Sequence, residues 1–457
     1  MKKTILLIAT TTVLGGCSHT IQNAKQIEEK ALQKKTADTY QSLPKTSAKG
    51  AIVDSLWLDL FQDAELKSLV TLALKDSPDL QMIAARKEQA EAYAKAVGAA
   101  IYPAVGITAR TGTKLGVEAS GISLAYLGAS WELDLWGRVR AARGAAAQTA
   151  LSAAAMQESV RLSLIASLSK MVWTARVLKE QERLAIDIQT AQANHLEHVI
   201  TREKIGIASR QDLANAQKSL AQAKEQTQAI SKAYLDALRA VDVLVGRYPA
   251  ATPLQTQLIP ALPAWLSPGV PSELLERRPD IIAASARVNA ALKQIDQAQA
   301  ARLPRISLSA GMGVIDSRMF VMQESSTIRP GAGVSLNLPL FTGGALSAQV
   351  EQKEAELREA YAQFAKAGLA AFSEVESALS GEDLSARRLQ ELVVAEKEQL
   401  SILQMIEDEF RIGRNDQRQV LQQKIQVAIA QQARYQAQVE LLMQRVNLYL
   451  AIGGSPL

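Results

Sequence analysis

Three histidines and one cysteine are the only soft metal ligands in this 457-residue chain. His195 and His198 form an H-x-x-H pair around Glu197. On a helix that spacing puts both rings on one face, where two imidazoles can hold a metal ion. No nearby histidine or cysteine completes the set, so the pair reads as solvated helix surface and no metal is expected. A phosphate loop, a nucleophile elbow and a catalytic acid pair are also missing from the sequence. No enzymatic reaction and no cofactor are therefore expected. The 51 basic side chains against 46 acidic ones leave no strongly basic footprint, so no nucleic-acid partner is expected.

The remaining chemistry sits at Cys17. Lys2 and Lys3 precede a short apolar run, Ile5 to Leu14, and then Gly15-Gly16-Cys17. This is the three-part order of a secretory signal peptide over 1–16. The run falls short of the roughly 20 residues of a membrane-crossing helix, and no later stretch is long and apolar enough. Leu14-Gly15-Gly16-Cys17 resembles a bacterial lipobox, which implies cleavage before Cys17 and acylation of its sulfur and new amino group. Because Ser18 follows, not aspartate, the resemblance implies sorting to the outer membrane. Several acyl chains anchor firmly, since each buried methylene contributes about 0.8 kcal/mol. The bland alternative is a signal peptide with an incidental cysteine. Residues 17–76 then form a lipid-anchored N-terminal segment, with 17–55 extended or poorly ordered. An acylated Cys17 leaves no thiol for a disulfide, so burial and assembly must hold the exported chain together.

The elements that follow come in two copies. Pro78 and Pro279 are 201 residues apart, as are Pro103 and Pro304; Gly206 and Gly413 are 207 apart, as are Gly246 and Gly453. Repeat 1 spans 77–246 and repeat 2 spans 278–453. The linker 247–277 contains Pro249, Pro253, Pro260, Pro263, Pro268 and Pro271, so it reads as a connection and not a core segment. A short tail, 454–457, ends the chain.

Each repeat predicts one helix, two strands and two long helices. The first helix, about 80–100, opens with Pro78-Asp79, copied at Pro279-Asp280. Proline lacks only an orphan donor there, and the carboxylate meets the positive end of the helix dipole. After Pro304 the period becomes two: Ile306, Leu308, Ala310, Met312 and Val314 alternate with serine and glycine. Ala332, Val334, Leu336, Leu338 and Leu340 repeat the pattern. Weaker copies lie at about 104–113 and 122–135, with hairpin loops at 114–121 and 315–328. The breaker-poor segments 138–205 and 345–412 predict helices about 100 Å long at 1.5 Å per residue. Shorter ones follow over 207–245 and 414–452. The first carries an apolar seam at 213, 216, 220, 223, 227, 230, 234, 237, 241 and 244; Gln423, Arg434 and Gln444 interrupt its copy.

Four strands of about ten residues can cross an outer membrane, but one chain cannot close a barrel with them. Open edges are not tolerated in hydrocarbon, so membrane strands would require several chains to share one barrel. A soluble sheet with an attached coiled coil fits the periodicity equally well.

"WELDLWGRVR" (Trp131–Arg140), "LLERRPDI" (Leu274–Ile281), "ARLPRISL" (Ala301–Leu308) and "PLFTGG" (Pro339–Gly344) resemble signature segments of TolC-like outer-membrane efflux proteins, in their OprM/NodT-like lipoprotein branch. Trp57, Phe61, Asp63, Leu66 and Leu69 match the same family's opening motif. The resemblance runs from about 55 to 453 and implies a mainly α fold with a small β part. It implies a homotrimer whose four strands per chain make one shared 12-stranded barrel, continued by a long periplasmic α-helical barrel. It implies a passive exit duct for drugs or other small solutes, in the outer membrane. Its partners would be a periplasmic adaptor, an inner-membrane pump, usually of the RND type, and outer-membrane lipid. A type I protein-secretion duct is the alternative, and a purely structural lipoprotein a third.

Thr108, Arg110, Ser307, Ser309, Ser335 and Asn337 are the expected lumen-facing positions. Trp131 and Trp136 suit a membrane interface, or for Trp136 the strand–helix joint, where Gly137, Gly343 and Gly344 let the chain turn. The tips "IGIASRQDL" (Ile205–Leu213) and "IGRNDQRQVL" (Ile412–Leu421) are the candidate functional sites, with Gly206, Ser209 and Gly413 for adaptor docking. In the family, carboxylates six and nine residues past the second tip glycine often line a closed gate; here Gln419 and Gln422 stand there. Asp212 matches the acid of the first tip, and Asn415 replaces its usual basic partner. Asp212 is therefore expected to pair with Arg414 or Arg418, leaving Asp416 as the remaining acid near the lumen.

Overall fold

The structure, a computed structural model, describes residues 40–42, 57–110, 122–256, 259–263, 277–317 and 325–454. The signal segment and Cys17 lie outside the described residues. So do the predicted hairpin loop 114–121 and much of the linker's second half.

Twelve elements follow in chain order. They are α1 (Trp57–Leu60), α2 (Ala64–Asp76), α3 (Pro78–Ala99), β1 (Ala104–Arg110), β2 (Ile122–Leu133), α4 (Arg138–Lys204), α5 (Arg210–Val245), α6 (Pro279–Ala300), β3 (Arg305–Ser317), β4 (Ser325–Asn337), α7 (Ala345–Arg411) and α8 (Gln417–Ala451). The duplication is plain in their lengths. The first helices both have 22 residues, the longest both have 67, and the last pair have 36 and 35. The predicted loop at 315–328 is shorter than expected: β3 continues to Ser317 and β4 starts at Ser325. Polar residues there do not end the strands, because backbone pairing needs no apolar side chain.

Two compact units divide the chain, and each draws on both repeats. The first takes Ala84–Met156 and Asp280–Gly368 among its residues. Its four strands form one antiparallel sheet in the order β1-β2-β3-β4. The register sorts the side chains cleanly. Val105, Ala129, Ala310 and Ala332 share a row, as do Ile107, Leu127, Met312 and Pro330, and then Trp131, Leu308 and Val334. All lie on one apolar face. Thr108, Tyr126, Ser130, Glu132, Arg305, Ser307, Ser309, Ser335 and Asn337 lie on the other. The alanine-rich start of α4 lies against α6. Ser152 Oγ donates to the Ala283 carbonyl at 2.9 Å, and Gly144 sits so close to the Lys293 stem that an added Cβ would meet it at 3.4 Å.

The second unit holds the main core. Trp57, Phe61, Trp173 and Tyr449 pack at centroid distances of 4.9 to 6.2 Å, with Leu66, Leu168, Leu238, Leu379 and Val446 buried around them. Stacked aromatics add to the burial of their own area. The predicted seam of α5 is the face that packs: Ala216, Thr227, Ile230, Tyr234, Ala237 and Val241 are buried. Its interruptions in α8 are paired. Gln423 Nε2 donates to Gln399 Oε1 at 2.7 Å, and Arg434 forms an ion pair with Glu396.

The repeats close on themselves in the same way. Gly246 and Gly453 have φ of +86° and +70°. A Cβ on Gly246 would stand 2.4 Å from the Asp76 carbonyl oxygen, and one on Gly453 would stand 3.3 Å from Arg277. Asp76 and Arg277 are again 201 residues apart. No helix among the described residues is long and apolar enough to cross a membrane.

The linker departs from expectation. Leu254 is buried in the core, and buried charges fix the backbone around it. Thr252 N donates to Asp242 at 3.0 Å. Gln255 N and Thr256 N donate to the two oxygens of Glu65 at 2.5 and 3.1 Å. Arg445 donates to the Pro263 carbonyl at 2.7 Å. Prolines remove donors and fix φ, but every carbonyl and every remaining N–H stays available to such partners. The segment 40–42 is held likewise, by Glu376 accepting from Gln41 N and Ser42 N at 2.7 and 2.8 Å.

Candidate functional site

At the turns that end α4 and α7, the two repeats use one backbone design. Ile207 N donates to the Arg202 carbonyl and Arg414 N to the Glu409 carbonyl, both at 2.8 Å. Gly206 and Gly413 occupy the left-handed position between, at φ +78° and +76°. This six-to-one closure satisfies carbonyls that the helix end leaves free, and it needs a residue without a Cβ penalty. The next helices start at caps 207 residues apart, Ser209 and Asp416.

The caps differ in chemistry. Ser209 Oγ accepts from Asp212 N at 3.1 Å while Asp212 Oδ2 accepts from Ser209 N at 2.9 Å, a reciprocal capping box. Ser209 Oγ also donates to Asp212 Oδ2 at 2.8 Å. At the second turn Asp416 Oδ1 accepts from Arg418 N at 3.1 Å, and Asp416 Oδ2 accepts from Arg418 Nε at 3.0 Å. The expected pairing of Asp212 with Arg414 or Arg418 is thus not what the chain makes. Asp212 is committed to its own helix start, and among the described residues it forms no ion pair with either arginine. Arg418 goes to Asp416, and Arg414 is exposed. A carboxylate three residues past a serine cap meets two donors within its own turn, a contact more local than any across the tip.

A cavity of 360 Å³ lies between the end of α4 and the starts of α5 and α8. Asp212, Asp416, Arg418 and Gln422 line it, and so do His195, His198 and Arg202; Gln419 and Arg414 do not. Asp212 is held below the usual aspartate range by the Ser209 backbone N–H first and its hydroxyl next, with the charges of Arg418 and Arg202 adding to both. Asp416 is lowered chiefly by the Arg418 backbone N–H, then by that residue's guanidinium. Burial lowers His195, and the Arg418 charge lowers it further. The H-x-x-H pair that reads as bare helix surface in sequence is therefore half inside this cavity. Its signal was the spacing alone; Arg202 carried none.

At the strand–helix joint, Trp131 Nε1 donates to the Ile101 carbonyl at 2.8 Å and Trp136 Nε1 to the Pro304 carbonyl at 2.7 Å. Each indole holds the turn leading into a strand, β1 or β3. Asp134 caps α4, accepting from Val139 N and Arg140 N at 2.9 and 2.8 Å. Gly137, Gly343 and Gly344 all have positive φ.

The opening motif has the least expected role. Asp63 caps α2, accepting from Leu66 N at 3.0 Å. It also accepts from Arg176 Nη1 and Nη2 at 2.5 and 3.0 Å and from Trp173 Nε1 at 3.3 Å. Burial alone would raise its pKa, but the Arg176 and Leu66 donors outweigh that and hold it low. Arg176 and a second buried pair, Arg445 with Glu382 at 2.5 Å, carry no sequence signal, because their partners are 113 and 63 residues away.

Comparison with known proteins now decides the family. The model of the outer membrane efflux protein family matches residues 69–247 and 270–454. The chain belongs to the outer membrane efflux protein family. It is 32% identical to the pyoverdine export outer membrane protein OpmQ of Pseudomonas putida, over 90% of both chains. It is 29% identical to the toluene efflux pump outer membrane protein TtgC of the same species, over 99% of this chain and 96% of that one. The solved structure of the outer membrane protein VceC from Vibrio cholerae superposes with a TM-score of 0.76 at 25% identity, covering 88% of this chain and 100% of the other. The fold is thus TolC-like, mainly α with a small β part, and the chain is an outer-membrane efflux protein.

Proposed function

We propose that three copies of the chain share one 12-stranded barrel and form a passive exit duct that catalyses no reaction. One observation carries this: a sheet with one apolar and one polar face ends in two unpaired edge strands, β1 and β4. In hydrocarbon each unpaired backbone group costs several kcal/mol. With four alternating strands, β4 of one copy is antiparallel to β1 of the next, so copies can add until the ring closes. The apolar face then meets lipid and the polar face a wet lumen. Cys17 is the lipid anchor, which adds to the hold on the outer membrane.

The helix tips form the periplasmic gate. Asp416 and Arg418, with Asp212, Gln419 and Gln422 near them, close it, while Gly206, Ser209 and Gly413 shape the surface that an adaptor meets. Beyond the adaptor stands an inner-membrane pump, of the RND type in this reading. The relatives' names include pyoverdine and toluene, two unlike cargoes, which suits a duct that leaves selection to the pump. The cargo is a small solute.

Planar-bilayer conductance tests this. The purified protein should give small, mostly closed channels, and Arg418→Ala should give markedly larger ones. Channels unaltered by the substitution would remove the gate assignment. No channels from a well-folded oligomer would remove the duct.

A further inference from the structure

Four glycines cross the polar face of the sheet in a single row: Gly106, Gly128, Gly311 and Gly331 are register partners on successive strands. Tyr126 lies beside that row and over part of it. An added Cβ on Gly128 would stand 2.3 Å from Tyr126 Cε1, and one on Gly311 would stand 2.2 Å from Tyr126 Oη. One on Gly313 would stand 3.0 Å from Tyr126 Cδ2. Real Cβ atoms essentially never come within 3.0 Å of another heavy atom, and a contact at 3.0 Å is tighter than nearly all, so the ring lies flat because these glycines place no side chain beneath it.

We infer that Tyr126 sets the bore of the duct, and that Gly128, Gly311 and Gly313 keep the bore wide by letting its ring lie against the wall. This rests on the proposal that the polar face lines a lumen. A tyrosine on a sheet ordinarily stands away from it, because strand side chains project roughly perpendicular to the sheet. Three upright rings at one level of a shared barrel would form a constriction; three flat ones do not. Of the three glycines, Gly128 isolates the effect. The nearest atoms its Cβ would meet all belong to the Tyr126 ring, whereas Gly311 and Gly313 would also strike the carbonyl oxygens of Leu127 and Ala125. Gly128→Ala therefore lifts the ring without disturbing the strand pairing.

The test uses the full-length protein in outer-membrane vesicles, with Ser335→Cys as a reporter. Ser335 lies four residues along β4 from Gly331, about 13 Å at roughly 3.3 Å per residue, on the side away from the hairpin ends. Cys17 is the only natural cysteine, and labelling of the parent chain gives its background. A small maleimide and a polymer-linked one are added from outside. Gly128→Ala should slow the bulky reagent severalfold and leave the small one unchanged, and Gly128→Ala with Tyr126→Ala should restore the bulky rate. An undiminished bulky rate in Gly128→Ala, or a loss that Tyr126→Ala does not restore, overturns the inference while the duct stands. A reporter that reacts with neither reagent in the folded protein overturns the lumen itself, and the inference with it. If Gly128→Ala does not assemble, assembly of Gly128→Ala with Tyr126→Ala shows that the ring was the obstacle, and failure of that pair as well refutes the role.

Discussion

Asp63 with Arg176 and Asp416 with Arg418 are the same pair of residue types in the same unit, yet they answer to different physics. The first pair is sealed, with side chains 5% and 1% exposed; in the second they are 32% and 63% exposed. Water weakens the outer pair and makes it easy to part, as exposed pairs contribute about 0–1 kcal/mol. The inner pair cannot part without leaving charge in the core. A carboxylate and a guanidinium can therefore be a fixed joint or a latch, and burial alone decides which. The fixed joint sits where the opening motif, the linker and α4 converge. The latch sits at the turn that the proposed gate would have to move.

The largest expected effect comes from breaking the buried joint. Arg176→Met leaves Asp63 and Glu65 without their counter-charge, and removing one partner of a buried pair costs about 3–5 kcal/mol. The temperature at which helical circular dichroism is lost should fall steeply. A melt within experimental error of the parent would mean that the joint is as dispensable as a surface pair.

Acid should reveal the same contrast less sharply. The Asp63 pKa is depressed in the folded chain, while an unperturbed aspartate titrates near ~3.9. Its contribution is thus complete above that unfolded value and disappears as the pH falls through the lower folded one. Melts from neutral pH down to strongly acid solution should show a loss confined to the low end. Arg176→Met, already without the contact, should lose less over that window; parallel profiles would contradict the linkage.

The smallest effect belongs to the first tip. Ser209→Ala removes one half of a capping box, worth about 1 kcal/mol. Amide exchange should quicken in the first turn of α5 and stay unchanged in the core. Faster exchange throughout would mean that the tip is coupled to the body of the unit.

The long-range plan was legible because breakers punctuate it. Two prolines and two glycines per copy, at fixed offsets, mark most helix boundaries of the two repeats to within a few residues, and the period of two places the strands; α1 and α2, ahead of the first repeat, carry no such mark. The seam of α5 was legible for the same reason, since one side of a long helix must pack. The buried charges were not. Asp63 and Arg176 are brought together only by the fold, and neither spacing nor period points from one to the other. At the tips the acids and arginines were visible as types, but their pairing was not. Competition between a local cap and a cross-tip partner is decided by geometry within one turn, and the nearer donors prevail. The linker misled because a run of prolines says nothing about which carboxylates await the N–H groups between them.

The equal lengths of α4 and α7 have a consequence for descent. From Arg138 and Ala345 through both tips to Gly246 and Gly453, the offset stays at 207. A single residue gained in one long helix would turn everything beyond it by about 100° and advance it by about 1.5 Å. The seam of the returning helix would then face away from its neighbours. Once the ancestral gene had doubled, insertions and deletions within these helices of one copy were tolerable only when matched in the other. Along these helices the two halves have been free to exchange serine for aspartate or alanine for arginine, but not to drift apart in length; the six residues by which the offset grows from 201 to 207 fall between Pro103 and Arg138 and their copies, where the strands lie.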